Sequence, residues 1–175
     1  MDILKYKVLL LGPPAVGKTS LWDRFINKTF QENYAMTIGV QVSTKDITFR
    51  NAVVKLTVWD IGGQARFKDL RKKFYFGTQG ALLIFDLTRE ETFDEIEGWI
   101  KEVKDVLDYD IPFVLIGNKS DLIKDGRKLN PQEAITFAKL HNSQYLETSA
   151  KTGDGVKDAF KELVLTIVKY NKQKL

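Results

Sequence analysis

The chain has 175 residues, 43% of them hydrophobic, with 27 Lys and Arg against 23 Asp and Glu and a formal net charge of +4. That length suffices to bury a sizeable core in one domain spanning residues 1–175, and no stretch reaches the apolar length of a membrane-spanning helix. Because it has no cysteine, disulfides, thiolate metal sites and a prenylated or palmitoylated tail are excluded. Asp2 likewise excludes N-myristoylation, so no lipid anchor is expected in this chain.

In chain order, residues 8–11 (Val-Leu-Leu-Leu) form an apolar run that predicts a buried strand. They lead into residues 12–19, Gly-Pro-Pro-Ala-Val-Gly-Lys-Thr, with the spacing G-x-x-x-x-G-K-[ST]. In that arrangement successive backbone N–H groups make an anion nest, Lys18 reaches the outer phosphates of a nucleotide, and the Thr19 hydroxyl ligates Mg²⁺. Leu21 and Phe25 mark the inner side of a helix beginning near Gly17. Residues 40–49 and 54–58 alternate in polarity around the turn 50–52 and predict an antiparallel hairpin.

Residues 81–85 and 113–116 are apolar almost throughout, as parallel strands covered on both faces are. Between them Phe93, Ile96, Ile100, Val103 and Leu107 recur at helical spacing. Asn130, Pro131 and Glu133 predict a capped helix start, and residues 144–148 a short strand. Val156, Ala159, Phe160, Leu163, Val164, Ile167 and Val168 form the stripe of a last helix packed on a sheet. The expected fold class is α/β: a doubly wound P-loop NTPase with a mostly parallel six-stranded sheet, one antiparallel edge strand and helices on both faces.

Three further motifs fall where strands end. In Asp60-Ile61-Gly62-Gly63-Gln64, Asp60 can hold Mg²⁺ through water, Gly63 lets a backbone N–H approach the terminal phosphate, and the Gln64 carboxamide suits orienting an attacking water. In Asn118-Lys119-Ser120-Asp121, the Asp121 carboxylate can accept both N1–H and the exocyclic amine of guanine, a donor pair that adenine lacks. In Glu147-Thr148-Ser149-Ala150-Lys151, a backbone N–H can reach the guanine carbonyl oxygen. His141, Trp22 and Trp99 read as capping and packing residues.

Together GPPAVGKT, TIGV, WDIGGQ, NKSD and ETSAK, in this order and spacing over nearly the whole chain, resemble the small GTPases of the Ras superfamily, closest to the Rab branch. The resemblance implies GTP/GDP and Mg²⁺ as cofactors and a GTP phosphohydrolase acting as a molecular switch. Carried over by position, it implies Thr19, Thr37 and Asp60 at the metal, and Gly12, Ala15, Val16, Gly17, Lys18, Thr19 and Ser20 around the phosphates. Phe30 would stack on the base and Tyr34 close over the phosphates, with Asn118, Lys119, Asp121, Ser149, Ala150 and Lys151 forming the guanine pocket. Gln64, Lys18 and Thr37 would carry catalysis, with Gly63 on the γ-phosphate. Two nucleotide-sensitive segments, about 30–40 and 62–75, would recruit effectors, and exchange factors and GTPase activators are implied as partners of a monomer.

Some positions depart from the pattern. Pro13 and Pro14 lack N–H groups, and Pro14 stands where an activator's arginine enters, so a weak response to such an arginine is expected. Gly62 and Ala65 stand where the Rab string has Ala and Glu, Gly62-Gly63-Gln64 resembles the Arf branch, and Val42 replaces an aromatic that many Rab proteins use for effectors. The alternative function is a GTP-binding interaction module with negligible hydrolysis; an ATP-dependent kinase or motor leaves Asp121 unexplained.

Charge is uneven. Residues 1–88 carry 13 Lys and Arg against 7 Asp and Glu, and residues 89–175 carry 14 against 16. The cluster Arg66, Lys68, Arg71, Lys72 and Lys73 reads as a solvated face or a site for an acidic partner. No nucleic acid is expected, since aromatics do not interleave with the basic residues. Cytoplasmic localisation is expected, with membrane contact only through partners or weak basic contacts from Lys169, Lys172 and Lys174.

Overall fold

A computed structural model describes residues 2–32, 35–125 and 129–174. The elements are β1 (Asp2–Leu11), α1 (Lys18–Asn27), β2 (Val40–Phe49), β3 (Ala52–Ile61), α2 (Lys68–Lys72), β4 (Gly80–Asp86), α3 (Glu90–Asp94), α4 (Ile96–Leu107), β5 (Phe113–Asn118), α5 (Pro131–Leu140), β6 (Gln144–Glu147) and α6 (Val156–Gln173). Short 3-10 turns occupy Ala65–Phe67 and Ser120–Asp125. The six strands lie in the order β2-β3-β1-β4-β5-β6, parallel throughout except for the antiparallel β2–β3 pair at one edge. The doubly wound α/β architecture expected from the sequence is therefore the one observed.

Period-two alternation divides the core between the two faces of the sheet. Tyr6, Val8 and Leu10 of β1 pack under α1 and α6, against Leu21, Trp22, Phe160 and Leu163. Leu9 and Leu11 face the other way, toward Trp99 and Val103 of α4 and Ala134 and Ala138 of α5. Every residue of β4 and β5 is buried, which is why their sequences show no alternation. The edge strand β2 has no buried residue and keeps the alternating pattern.

Element bounds differ from the sequence expectations in several places. β1 begins at Asp2, six residues before the apolar run, because it pairs with β3 from Ala52 onward. The hairpin turn is two residues, Arg50 and Asn51, because Ala52 already pairs with Phe49; Arg50 takes the left-handed φ of 53° that a tight hairpin asks of its turn. β3 continues through Asp60 to Ile61, paired with Gln41 and Val40, so Asp60 is held by the sheet and not by a loop. The stripe from Phe93 to Leu107 is divided between α3 and α4. Glu95 between them keeps helical dihedrals (φ −77°, ψ −16°), so the break is a loosened turn.

Candidate functional site

The connections following β1, β3, β5 and β6 meet beyond the strand C-termini and enclose a cleft of about 370 Å³. At one end it is lined by Ala15, Gly17, Lys18, Thr19 and Ser20 of the first loop and helix. Because α1 starts at Lys18, the first N–H groups of that helix have no intrahelical acceptor. Gly17 is required here: its φ is 99°, and a Cβ would lie 2.3 Å from the Asn118 Nδ2. Gly12 and Val16 sit beneath the loop and are buried; they do not line the cleft.

Lys18 is 6% exposed and its Nζ donates to the carbonyls of Gly12 and Pro13, both at 2.8 Å. Burial pushes its pKa down to about 8, against the attraction of the Asp60 carboxylate. The Thr19 and Thr37 hydroxyls are hydrogen-bonded at 2.8 Å, and Thr19 Oγ1 also donates to Asp60 Oδ2. The three residues expected at a metal are thus in one chain of contacts.

Asp60 is 2% exposed, and its other oxygen, Oδ1, is buried with no partner among the described residues. Burial pushes this carboxyl's pKa up. An orphaned buried oxygen beside two converging hydroxyls fits a hard cation that keeps some of its own waters, as Mg²⁺ does.

Gly63 and Gln64 line the same end. A Cβ on Gly63 would stand 2.4 Å from the Gly12 carbonyl oxygen and 2.8 Å from the Pro14 nitrogen, so the segment after β3 presses directly on the proline loop. Gln64 Oε1 accepts from Arg66 Nε at 2.7 Å, and its Nε2 points at Met36 Sδ at 3.4 Å. Gly62 N–H donates to the Gly39 carbonyl at 2.9 Å, joining the two segments that the sequence singled out.

At the other end, Asn118, Lys119, Asp121, Ala150, Lys151 and Phe30 line the cleft. Asn118 is a brace: its Nδ2 donates to the Val16 carbonyl at 2.9 Å, while its Oδ1 accepts from Thr148 Oγ1 at 3.0 Å and Ala150 N at 3.3 Å. One side chain therefore ties the loops after β1, β5 and β6. Ser149, buried behind the cleft, donates from Oγ to Asp121 Oδ1 at 2.7 Å and orients that carboxylate. Phe30 is half-buried against the core under α1. Tyr34 lies outside the described residues.

The sequence did not reveal Asp86 at the end of β4. It is 1% exposed and its Oδ2 accepts from Lys119 Nζ at 2.8 Å and Arg89 Nε at 3.1 Å. Lys119 also donates to the Ala15 carbonyl and Arg89 Nη2 to that of Pro14, so Asp86 anchors two cations that grip the phosphate loop from behind. Burial opposes this carboxylate, but its bonds to Lys119 and Thr88 outweigh it and hold the pKa below the ordinary value. Its position at a strand's C-terminal end, like that of Asp60, was the available signal. The basic cluster is also less uniform than its composition suggests: Arg71 is buried, bound to Glu102 of α4, while Arg66, Lys68 and Lys73 are exposed.

A profile described as Ras family matches residues 7–169. The chain is 41% identical over 163 residues to the Ras-related protein Rab-18-B of Danio rerio, covering 93% of this chain and 78% of that protein. It is 38% identical over 169 residues to the Ras-related protein RABA1i of Arabidopsis thaliana, covering 97% and 77%, and 37% identical over 167 residues to the Ras-related protein Rab-18 of Lymnaea stagnalis, covering 95% and 82%. The chain therefore belongs to the Ras family and is a Rab-like small GTPase, a guanine-nucleotide-binding GTP hydrolase.

Proposed function

We propose that this GTPase is a slow, Mg²⁺-dependent switch whose bound nucleotide lies along the cleft with its phosphates at Lys18 and its base at Asp121. The observation that carries this reading is the convergence in one cleft of Lys18, Thr19, Thr37 and Gln64 at one end with Asn118, Lys119 and Asp121 at the other. Asp121, oriented by Ser149, accepts two donors from guanine. Asn118 and Lys119 hold the loops in register without needing to touch the base themselves. Lys18 exchanges the carbonyls of Gly12 and Pro13 for outer phosphate oxygens, a stronger partner for its charge. Thr19 and Thr37 would hold Mg²⁺ directly and Asp60 through water; the ion supplies neutralisation of charge developing on the phosphates.

Gln64 orients the hydrolytic water once its carboxamide leaves Arg66 and Met36. The described residues of the segments 30–40 and 62–75 change shape when the γ-phosphate departs, and effectors read that change; residues 33 and 34 lie outside the described residues. Pro14, lining the cleft where an activator's arginine would enter, blunts the response to such an arginine. One observation favours a second reading, a GTP-binding module with negligible hydrolysis: the Gln64 carboxamide is already engaged by Arg66 and Met36. Phosphate release from GTP with Mg²⁺ separates the two. Gln64→Leu should lower the rate by up to about 100-fold, the scale of a lost orienting contact. Tight GTP binding with no release from the unaltered protein would favour the module.

A further inference from the structure

We propose that Arg71 of α2 is a positioning residue for hydrolysis, a strut that is held by Glu102 of α4 and fixes the backbone of Gln64; this rests on the reading of Gln64 given above. Arg71 belongs by sequence to a basic surface run, yet it is 6% exposed. Its Nε and Nη2 donate to Glu102 Oε1 and Oε2, both at 2.8 Å, in a two-pronged grip on a carboxylate that is itself buried. The third nitrogen, Nη1, donates to the Gln64 carbonyl at 2.9 Å. The guanidinium carbon lies 4.2 Å from the centre of the Trp99 ring, and Tyr75 OH donates to Glu102 Oε1 at 2.6 Å. Burial works against the Arg71 charge, but Glu102 outweighs it and holds the guanidinium's pKa above its ordinary value.

Stability alone is a poor reason for such a network, because apolar side chains of similar volume commonly hold a fold as well as a buried ion pair does. What apolar packing lacks is direction. The guanidinium is a rigid planar fork, so two bonds to Glu102 leave the third donor with a fixed aim, at Gln64. The Gln64 carbonyl also accepts from Phe67 N–H at 3.1 Å, but that bond lies within the 3-10 turn and travels with it. The Arg71 bond instead ties the turn to α4, which packs on the sheet. With its backbone pinned, the Gln64 side chain reaches the phosphate end of the cleft through its own torsions alone.

The test is single-turnover GTP hydrolysis by GTP-loaded protein, with GDP release measured alongside. Arg71→Met alone leaves the buried Glu102 carboxylate with only the Tyr75 hydroxyl and the exposed Lys68, 3.8 Å away, as partners and risks misfolding. The informative variant is therefore Arg71→Met combined with Glu102→Leu in a Tyr75→Phe background, which replaces the network by apolar packing without orphaning the buried Tyr75 hydroxyl. Hydrolysis should fall about tenfold, the scale seen when a supporting contact behind a reactive group is lost, with GDP release unchanged. Arg71→Lys, which keeps the charge but not the fork, should fall similarly. In a Gln64→Leu background the paired change should cost nothing further. Wild-type hydrolysis in the paired variant, alongside slow Gln64→Leu, would overturn the strut and leave the Gln64 reading intact. Faster GDP release, or a further loss in the Gln64→Leu background, would mark the network as structural and also overturn it. If Gln64→Leu itself hydrolyses at the wild-type rate, the reading of Gln64 fails first and the strut falls with it.

Discussion

Asp60 is the last residue but one of β3 and Asp86 the last of β4, the two strands that flank β1, and both are nearly inaccessible, at 2% and 1% exposure. Their surroundings differ. Asp86 has both oxygens occupied, Oδ1 by the N–H and hydroxyl of Thr88 and Oδ2 by Lys119 and Arg89, and its pKa is held down. Asp60 has one oxygen on Thr19 and the other on no described residue, and burial pushes its pKa up. Burying a polar oxygen without a partner costs about 1–3 kcal/mol. A carboxylate whose needs are met within the chain braces the loops around it. One left an oxygen short, bonded to the Thr19 that lines the cleft, suits a ligand from outside the chain.

A third carboxylate extends the comparison and carries the largest expected effect. Asp121 has Oδ1 held by Ser149 and lines the cleft. Asp121→Ala should erase most of the preference for GTP over ATP, up to about 10⁴-fold, measured as a ratio of dissociation constants, because a site built on a substrate's donors rejects analogues on that scale. An unchanged ratio would move base recognition elsewhere.

The bracing role of Asp86 predicts the next largest effect, on stability. Asp86→Ala should cost about 2–3 kcal/mol in denaturant unfolding, somewhat below a fully buried pair because Lys119 and Arg89 retain partial exposure. The pH dependence has a definite sign. A carboxylate whose folded pKa lies below its ordinary value of 3.8 contributes stability that is fully present above 3.8 and lost as pH falls through the lower, folded value. The difference in stability between wild type and Asp86→Asn should therefore be flat from about pH 5 upward and shrink only in acid. A difference that shrinks near neutral pH would contradict the assignment. Arg89→Ala should cost least, about 0.5 kcal/mol, since its side chain is 38% exposed. A loss as large as that of Asp86→Ala would make Arg89, and not Lys119, the principal partner.

The residues that the sequence made legible share a property: their chemistry is local to a motif. Lys18 and Thr19 follow a strand at fixed spacing, and Asp121 follows Asn118 in one turn, so position along the chain nearly determines position in space. Asp86 was missed because its partner Lys119 returns from the next strand, a contact that no spacing within one segment reveals. Arg71 was misread because Lys-Asp-Leu-Arg-Lys-Lys has the composition of a solvated surface, while its destination is Glu102, 31 residues on. A clue was present there: Glu102 falls three residues after Trp99 and beside Val103, on the inner face of its helix, where an acid needs a partner. The strand ends differ from those expected, by two and three residues at Ala52 and Ile61 and by six at the start of β1, because pairing with a neighbour decides where a strand stops.

The central claim, that the spare oxygen of Asp60 serves a metal holding the nucleotide, is tested most directly by the release rate of a fluorescent GDP from wild type and Asp60→Ala, in Mg²⁺ and after its chelation. Chelation should speed release from wild type, and Asp60→Ala should release quickly in both conditions, about 10- to 100-fold faster than wild type in Mg²⁺. Measured without nucleotide or Mg²⁺, so that no bound ligand contributes, its thermal stability should not fall, because the orphaned carboxylate is gone. An Asp60→Ala protein that holds GDP as tightly as wild type and still responds fully to chelation would contradict the account.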